Sequence, residues 1–130
     1  MEGTADLERF VAAQDQGGTY ERALAELRAG SKRSHWMWFV FPQEKGLGHS
    51  PMSQRYAIES LDEAVAYADH PVLGPRLREC CRALLDLEGS PTAVAVLGEI
   101  DALKLCSSME LFARADPDEP LFRAVRERYC

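Results

Sequence analysis

Apolar residues along the chain recur mainly at helical spacing. Leu7, Phe10 and Val11 fall at i, i+3, i+4, and the acids Asp6 and Glu8 stand where a helix dipole favours them. Gly17-Gly18 breaks this segment. Thr19 is a candidate cap for the next one, whose stripe is Tyr20, Ala23, Leu24 and Leu27, and Gly30 ends it. Further on, Ser50-Pro51 sets a cap before a proline at the first helical position. Ser60 to Glu63 has the capping-box pattern, and His70-Pro71 closes the helix it opens. The stretch Gly74 to Gly89 predicts a strong helix with Leu77, Cys80, Cys81, Leu84 and Leu87 inward. Ser90-Pro91 starts a short helix to Leu97-Gly98, and Asp101 to Arg114 forms the next. Pro117 and Pro120 then bracket a turn before a final helix over Leu121 to Cys130.

Only "WMWFVF" and "AVAVL" are strand-like by composition, and Pro42 ends the first. Two such stretches do not make a sheet. The pattern predicts an all-α, single multihelical domain over residues 1–130, with about six to eight short helices.

Composition narrows the function classes. A chain of 130 residues with 46% hydrophobic positions can bury a sizeable core without disulfide staples. A net charge of −6 argues against broad nucleic-acid binding and disfavours a toxin–antitoxin or nucleic-acid regulator. A small phosphate pocket, needing one or two cations, stays open. No apolar run is long enough to cross a membrane, and "MEGTADLERF" lacks the basic and apolar regions of a signal peptide. The four cysteines, Cys80, Cys81, Cys106 and Cys130, make no C-x-x-C, and adjacent Cys80 and Cys81 are awkward disulfide partners. The expectation is a reduced, cytoplasmic protein.

The chemistry candidates centre on "SHWMWFVFPQEKGLGHSP", Ser34 to Pro51. Consecutive aromatic residues cannot all face one way. Trp36 and Trp38 are therefore either core on all sides or part core and part cleft wall, with His35, Gln43 and Arg55 nearby. The three histidines form no metal-ligand spacing, so neither metal nor cofactor is expected. Cys80, Cys81 and Cys106 lie on apolar stretches, where burial raises a thiol pKa and disfavours a nucleophile. "GLGHS" lacks phosphate-loop spacing and reads first as a tight turn, while Gly48, His49 and Ser50 also precede a helix N-terminus whose free N–H groups can hold a phosphate or carboxylate. On the helix from Asp101, Leu105, Ser108, Met109 and Phe112 share a face, and Lys104 neighbours Ser108. A cation and a hydroxyl beside an apolar stripe could hold a polar ligand, or the serines could bond the preceding turn.

The motifs "HWMWFVFPQ", "YAI", "HPVLGPRL" and "KLCSSMELF" resemble a bacterial family catalogued as domain of unknown function 1810, sometimes mislabelled calpastatin. The likeness runs from about Asp6 to Arg114. It implies an all-helical globular fold and no established activity. "SQRYAIESLDEA" also resembles a helix of the YbiA-like, or NADAR, superfamily, whose members act on ADP-ribosyl or related N-glycosidic linkages. That helix carries a glutamate before its aromatic residue, whereas this chain has Gln54-Arg55-Tyr56 and its next acid at Glu59.

Two functions follow as expectations. One is an ADP-ribose-like or other nucleotide-type ligand site, extending to N-glycosidic hydrolysis. Its wall would be Trp36 and Trp38, its cations Arg55 and Lys104, its carboxylate Glu59 or Asp101 and its proton donor His35. Gln43, Tyr56 and Ser108 would be further contacts. The other is a non-catalytic adaptor or protein-interaction domain that keeps the aromatic run as core and uses an acidic surface of Glu59, Asp62, Glu63 and Asp69.

Overall fold

Helix ends dictate the architecture, and most are set by identifiable caps. The computed structural model describes residues 6–130; residues 1–5, with half of the stretch read for a leader, lie outside the described residues. Helix α1 (Glu8–Asp15) runs into a 3-10 turn, and α2 (Thr19–Ala29) lies between Gly18 and Gly30, both left-handed at φ +71° and +74°. Thr19 is the first helical residue and its hydroxyl donates to the Gln16 carbonyl, so Gly18 is the cap in place of Thr19. The stripe Tyr20, Ala23, Leu24, Leu27 is buried as the spacing requires.

The one-turn helix α3 (Met37–Val40) and the short α4 (Pro51–Arg55) follow, the latter capped by Ser50, whose hydroxyl accepts from the Ser53 N–H. Helix α5 (Leu61–Asp69) is capped by Ser60. The capping-box glutamate is displaced by one residue: Glu63 accepts from the N–H of Glu59 rather than that of Ser60. His70 then links two helices. It ends α5, and its Nδ1 accepts from the N–H groups of Val72 and Leu73 at the start of α6 (Leu73–Leu85). Gly74 is required there, because a Cβ would stand 2.3 Å from the Ala68 carbonyl oxygen of α5.

Helix α7 (Ala93–Leu97) is capped by Thr92, not by the expected Ser90. Helices α8 (Glu99–Ala115) and α9 (Pro120–Tyr129) complete the chain. α8 packs against α5, α7 and α9, while α6 packs against α2, α5 and α9, so the core lies between these two long helices and their neighbours. Both strand-like stretches are helical. In "WMWFVF" nearly every side chain is buried whichever way it points, so packing overrides β-propensity. In "AVAVL" the Thr92 cap closes the first turn while Val96 and Leu97 enter the core. β-pairing among the described residues is confined to one parallel bridge, Glu44 with Ile58. Among the described residues no helix is long and apolar enough to cross a membrane.

Two polar hubs hold the layers. Arg78 of α6 donates to Glu119, Asp116 and the Ala68 carbonyl, tying α9 and α5 to α6. Glu26 of α2 accepts from the N–H groups of Arg33 and Ser34, the Ser34 hydroxyl and the Trp36 indole N–H. Burial opposes ionisation of Glu26, but these donors outweigh it and hold the carboxyl at about 2, against an ordinary 4.5.

The cysteines correct one expectation. Cys106 and Cys130 are disulfide-bonded, while Cys80 and Cys81 are free and buried. The antiparallel return of α9 along α8 brings together two residues 24 apart in sequence, which spacing alone does not disclose.

Two stability tests follow. The folded state gives up the Glu26 proton more readily than the unfolded chain, so its contribution is full above the ordinary carboxylate value and is lost as pH falls towards 2. Between about pH 6 and pH 2 the wild type should lose about 2 kcal/mol more than Glu26→Gln in denaturant titrations; parallel profiles would refute the role given to Glu26. Reducing the Cys106–Cys130 bond should cost about 3 kcal/mol in the same assay, and the double serine variant should be insensitive to reductant.

Candidate functional site

The site is a cleft of about 350 Å³ between the aromatic run, the Gln43–His49 turn, the α4–α5 connector and α8. Three local devices build it. Ile58 donates to the Gln43 carbonyl and accepts from the Lys45 N–H, which zips the turn to the connector. Arg9 of α1 reaches the connector from outside: its Nε donates to the Arg55 carbonyl at 2.8 Å and its Nη2 to the Ala57 carbonyl at 2.7 Å. Glu63, buried beneath, pairs with Arg9 at 3.4 Å and accepts from the Glu59 N–H at 2.7 Å. At the turn, Gly48 sits so close to Ser53 that a Cβ would lie 2.5 Å from its side chain.

Trp38, Met37, Phe41, Tyr56 and Ala57 give the cleft its apolar wall. Residues two apart on a helical turn point to opposite sides, so when Trp36 enters the core Trp38 comes out of it. Trp36 is fully buried with its indole N–H on Glu26, and it does not line the cleft. Trp38 is half-buried and does.

Of the other residues singled out from the sequence, Gln43, Tyr56, Glu59 and Lys104 line the cleft with Trp38. Glu59 is at an exposed position and pairs with Lys45 at 3.4 Å. Lys104 has its ammonium 5.2 Å from the Trp38 ring centroid and 3.8 Å from Asp101. Asp101 lies behind this lysine and is paired with Lys32 at 2.9 Å, outside the lining. His35 and Arg55 are exposed outside the lining. Ser108 is buried among the α8 core residues, its hydroxyl without a partner among the described residues. Burial pushes the thiols of Cys80 and Cys81 up, that of Cys80 to about 12, so neither is an ionised nucleophile. The stretch "SQRYAIESLDEA" is not one helix, because α4 ends at Arg55 and α5 begins at Leu61.

The sequence pattern does not mark Arg9, Glu26 and Glu63 as positioning residues or Lys45 as a lining residue, whereas His49, in the "GLGHS" stretch ahead of α4, does line the cleft. Arg9 acts across 46 to 54 residues of chain, a separation that leaves no local pattern. The acidic surface expected of Glu59, Asp62, Glu63 and Asp69 loses Glu63, which is 2% exposed. Among the described residues the Gln43 amide, the Tyr56 hydroxyl and the His49 imidazole have no side-chain hydrogen-bond partner, although all three residues line the cleft.

No curated protein matches the chain. Its fold is similar to the crystal structure, at 1.38 Å, of the conserved hypothetical protein Rv1873 from Mycobacterium tuberculosis. The TM-score is 0.91 at 52% identity, over 95% of this chain and 86% of that one. A family model described as "Protein of unknown function (DUF1810)" matches residues 4–130, beyond the Asp6 to Arg114 likeness and through α9; the chain belongs to this family.

Proposed function

We propose that the cleft binds a small nucleotide-type molecule with a flat ring. One observation carries this reading. Buried and half-buried polar side chains such as Gln14, Glu26, Glu63 and Tyr67 are paired within the fold, although the buried Ser108 hydroxyl is not, whereas the Gln43 amide, Tyr56 hydroxyl and His49 imidazole converge on one concavity without side-chain partners among the described residues. Beside them stand an indole to stack on and an ammonium. A few converging polar groups in an apolar recess are what a small-molecule site requires.

N-glycosidic hydrolysis is the finer form of the proposal. Cleavage through an oxocarbenium-like state needs a carboxylate near the anomeric carbon. The lining carboxylates are Glu44, held by Arg114, and Glu59, held by Lys45 at the rim. Glu59 takes the role in this reading, since it borders Tyr56 and Ala57 on the wall. The likeness of the α4–α5 segment to the YbiA-like superfamily supports the same chemistry, though the break at Tyr56–Ser60 separates the two halves of the motif. A second reading, an interaction domain, draws on Ile100 and Leu103, each 72% exposed on the outer face of α8.

Thermal unfolding separates the readings. With ADP-ribose, NAD, nucleotides or sugar phosphates at about a hundred times the dissociation constant, a true ligand stabilises by roughly 2.7 kcal/mol, a few degrees here. Trp38→Ala should stay folded and lose that shift. Trp36→Ala should lose about 3–5 kcal/mol of stability by core truncation. Glu59→Gln should keep the shift and lose release of the base. No shift across the panel, or a shift that survives Trp38→Ala, would sink the cleft reading.

A further inference from the structure

We infer that the ligand's ring carries an anionic group and that Lys104 receives it. The inference rests on the cleft reading above. The observation is a five-membered chain of contacts at the α8 side of the cleft. Lys32 lies over the Trp36 ring at 5.2 Å and 2.9 Å from Asp101, and Lys104 lies 3.8 Å from the other Asp101 oxygen and over the Trp38 ring at 5.2 Å. One carboxylate is thus shared by two ammonium groups, each set on an indole.

The charges do not cancel. Asp101 supplies one negative charge, and the nearer lysine, Lys32, takes most of it. The remainder is positive and sits on Lys104, the member of the chain that lines the cleft together with Trp38. The other cation–anion contacts at the lining are matched pairs, Lys45 with Glu59 and Arg114 with Glu44. A protein of net charge −6 therefore presents a local positive site at this one wall. Lys104 has three N–H donors, and its side chain is only 22% exposed. A neutral ligand filling the cleft would strip its remaining water without replacing it, which carries a desolvation cost. A cationic ligand would be repelled by the ammonium that already stands beside the indole. A flat ring bearing a phosphate or carboxylate meets both conditions, stacking on the wall while the acid group completes the Lys104 shell.

The test uses two matched pairs of probes: adenosine 5′-monophosphate with adenosine, and nicotinate with nicotinamide. Calorimetric titration should show one anion binding about tenfold or more tighter than its neutral partner, and Lys104→Met should bring that ratio to about one. The pair that discriminates tells phosphate from carboxylate. Equal affinities within both pairs, or a preference that survives Lys104→Met, would overturn the anion and leave a ring-binding cleft in place. Absence of binding by all four probes, with no shift in the thermal panel, would remove the cleft reading as well. The wild-type ratio decides whether the ligand is anionic even if Lys104→Met is poorly folded, and Lys104→Arg, which keeps the charge, should then retain the preference.

Discussion

One carboxylate, that of Glu26, fixes the segment on which everything else at the site depends. After α2 ends at Gly30 the chain must cross to the core and start α3, and Arg33 to Trp36 has no secondary structure of its own to satisfy its N–H groups. Glu26 accepts from two of those N–H groups, one hydroxyl and the indole N–H of a Trp with no exposed surface. A buried indole N–H left unpaired costs about 1–3 kcal/mol. The same bonds set the rotation of the turn that follows. Two residues along an α-helical turn is about 200°, so Trp38 emerges opposite Trp36. One side of the aromatic run is core because the other side is a cleft wall.

The facing wall is held by the opposite charge. The α4–α5 connector is extended and would leave its carbonyls without helical partners, and the Arg9 guanidinium takes two of them while Glu63 takes a neighbouring N–H. The guanidinium and carboxylate neutralise each other at 3.4 Å. Both walls are thus irregular backbone organised by a charged side chain from a regular helix. That places the cleft on rigid supports while leaving Gln43, Tyr56 and His49 without side-chain partners among the described residues.

This division explains what the sequence discloses. Helices with a one-sided stripe, such as α2 and α6, are legible because burial repeats every three or four residues. Caps at Ser50 and Ser60 are legible because they act within one turn. Several failures share a cause. Thr19 yields to Gly18 and Ser90 to Thr92 because a neighbouring residue offered a competent cap. The run at Met37 to Phe41 has no periodicity to read when nearly every position is apolar. Glu26, Arg9 and the Cys106–Cys130 bond act between segments that only the fold brings together. At the site, Trp38, Gln43, Tyr56, Glu59 and Lys104 were visible as aromatic and polar residues near one turn or on one helix. Spacing could not separate them from Trp36, Arg55, His35 and Ser108, which share their chemistry but face elsewhere.

α8 joins these separate devices. Its inward face, Leu105, Ser108, Met109 and Phe112, packs the core, and its first turns present Asp101 and Lys104 to the aromatic run. Lys32, on the segment held by Glu26, reaches the same Asp101. The N-terminal end of the segment bearing both tryptophans is therefore held twice, by an acid on α2 and by an acid on α8. A lysine at each indole transmits the second clamp. Moving α8 would shift Lys32 and Lys104 together, since both hold the Asp101 carboxylate. The position of Lys32 over Trp36 and that of Lys104 at the cleft are one constraint, because both ammonium groups are held through the same carboxylate.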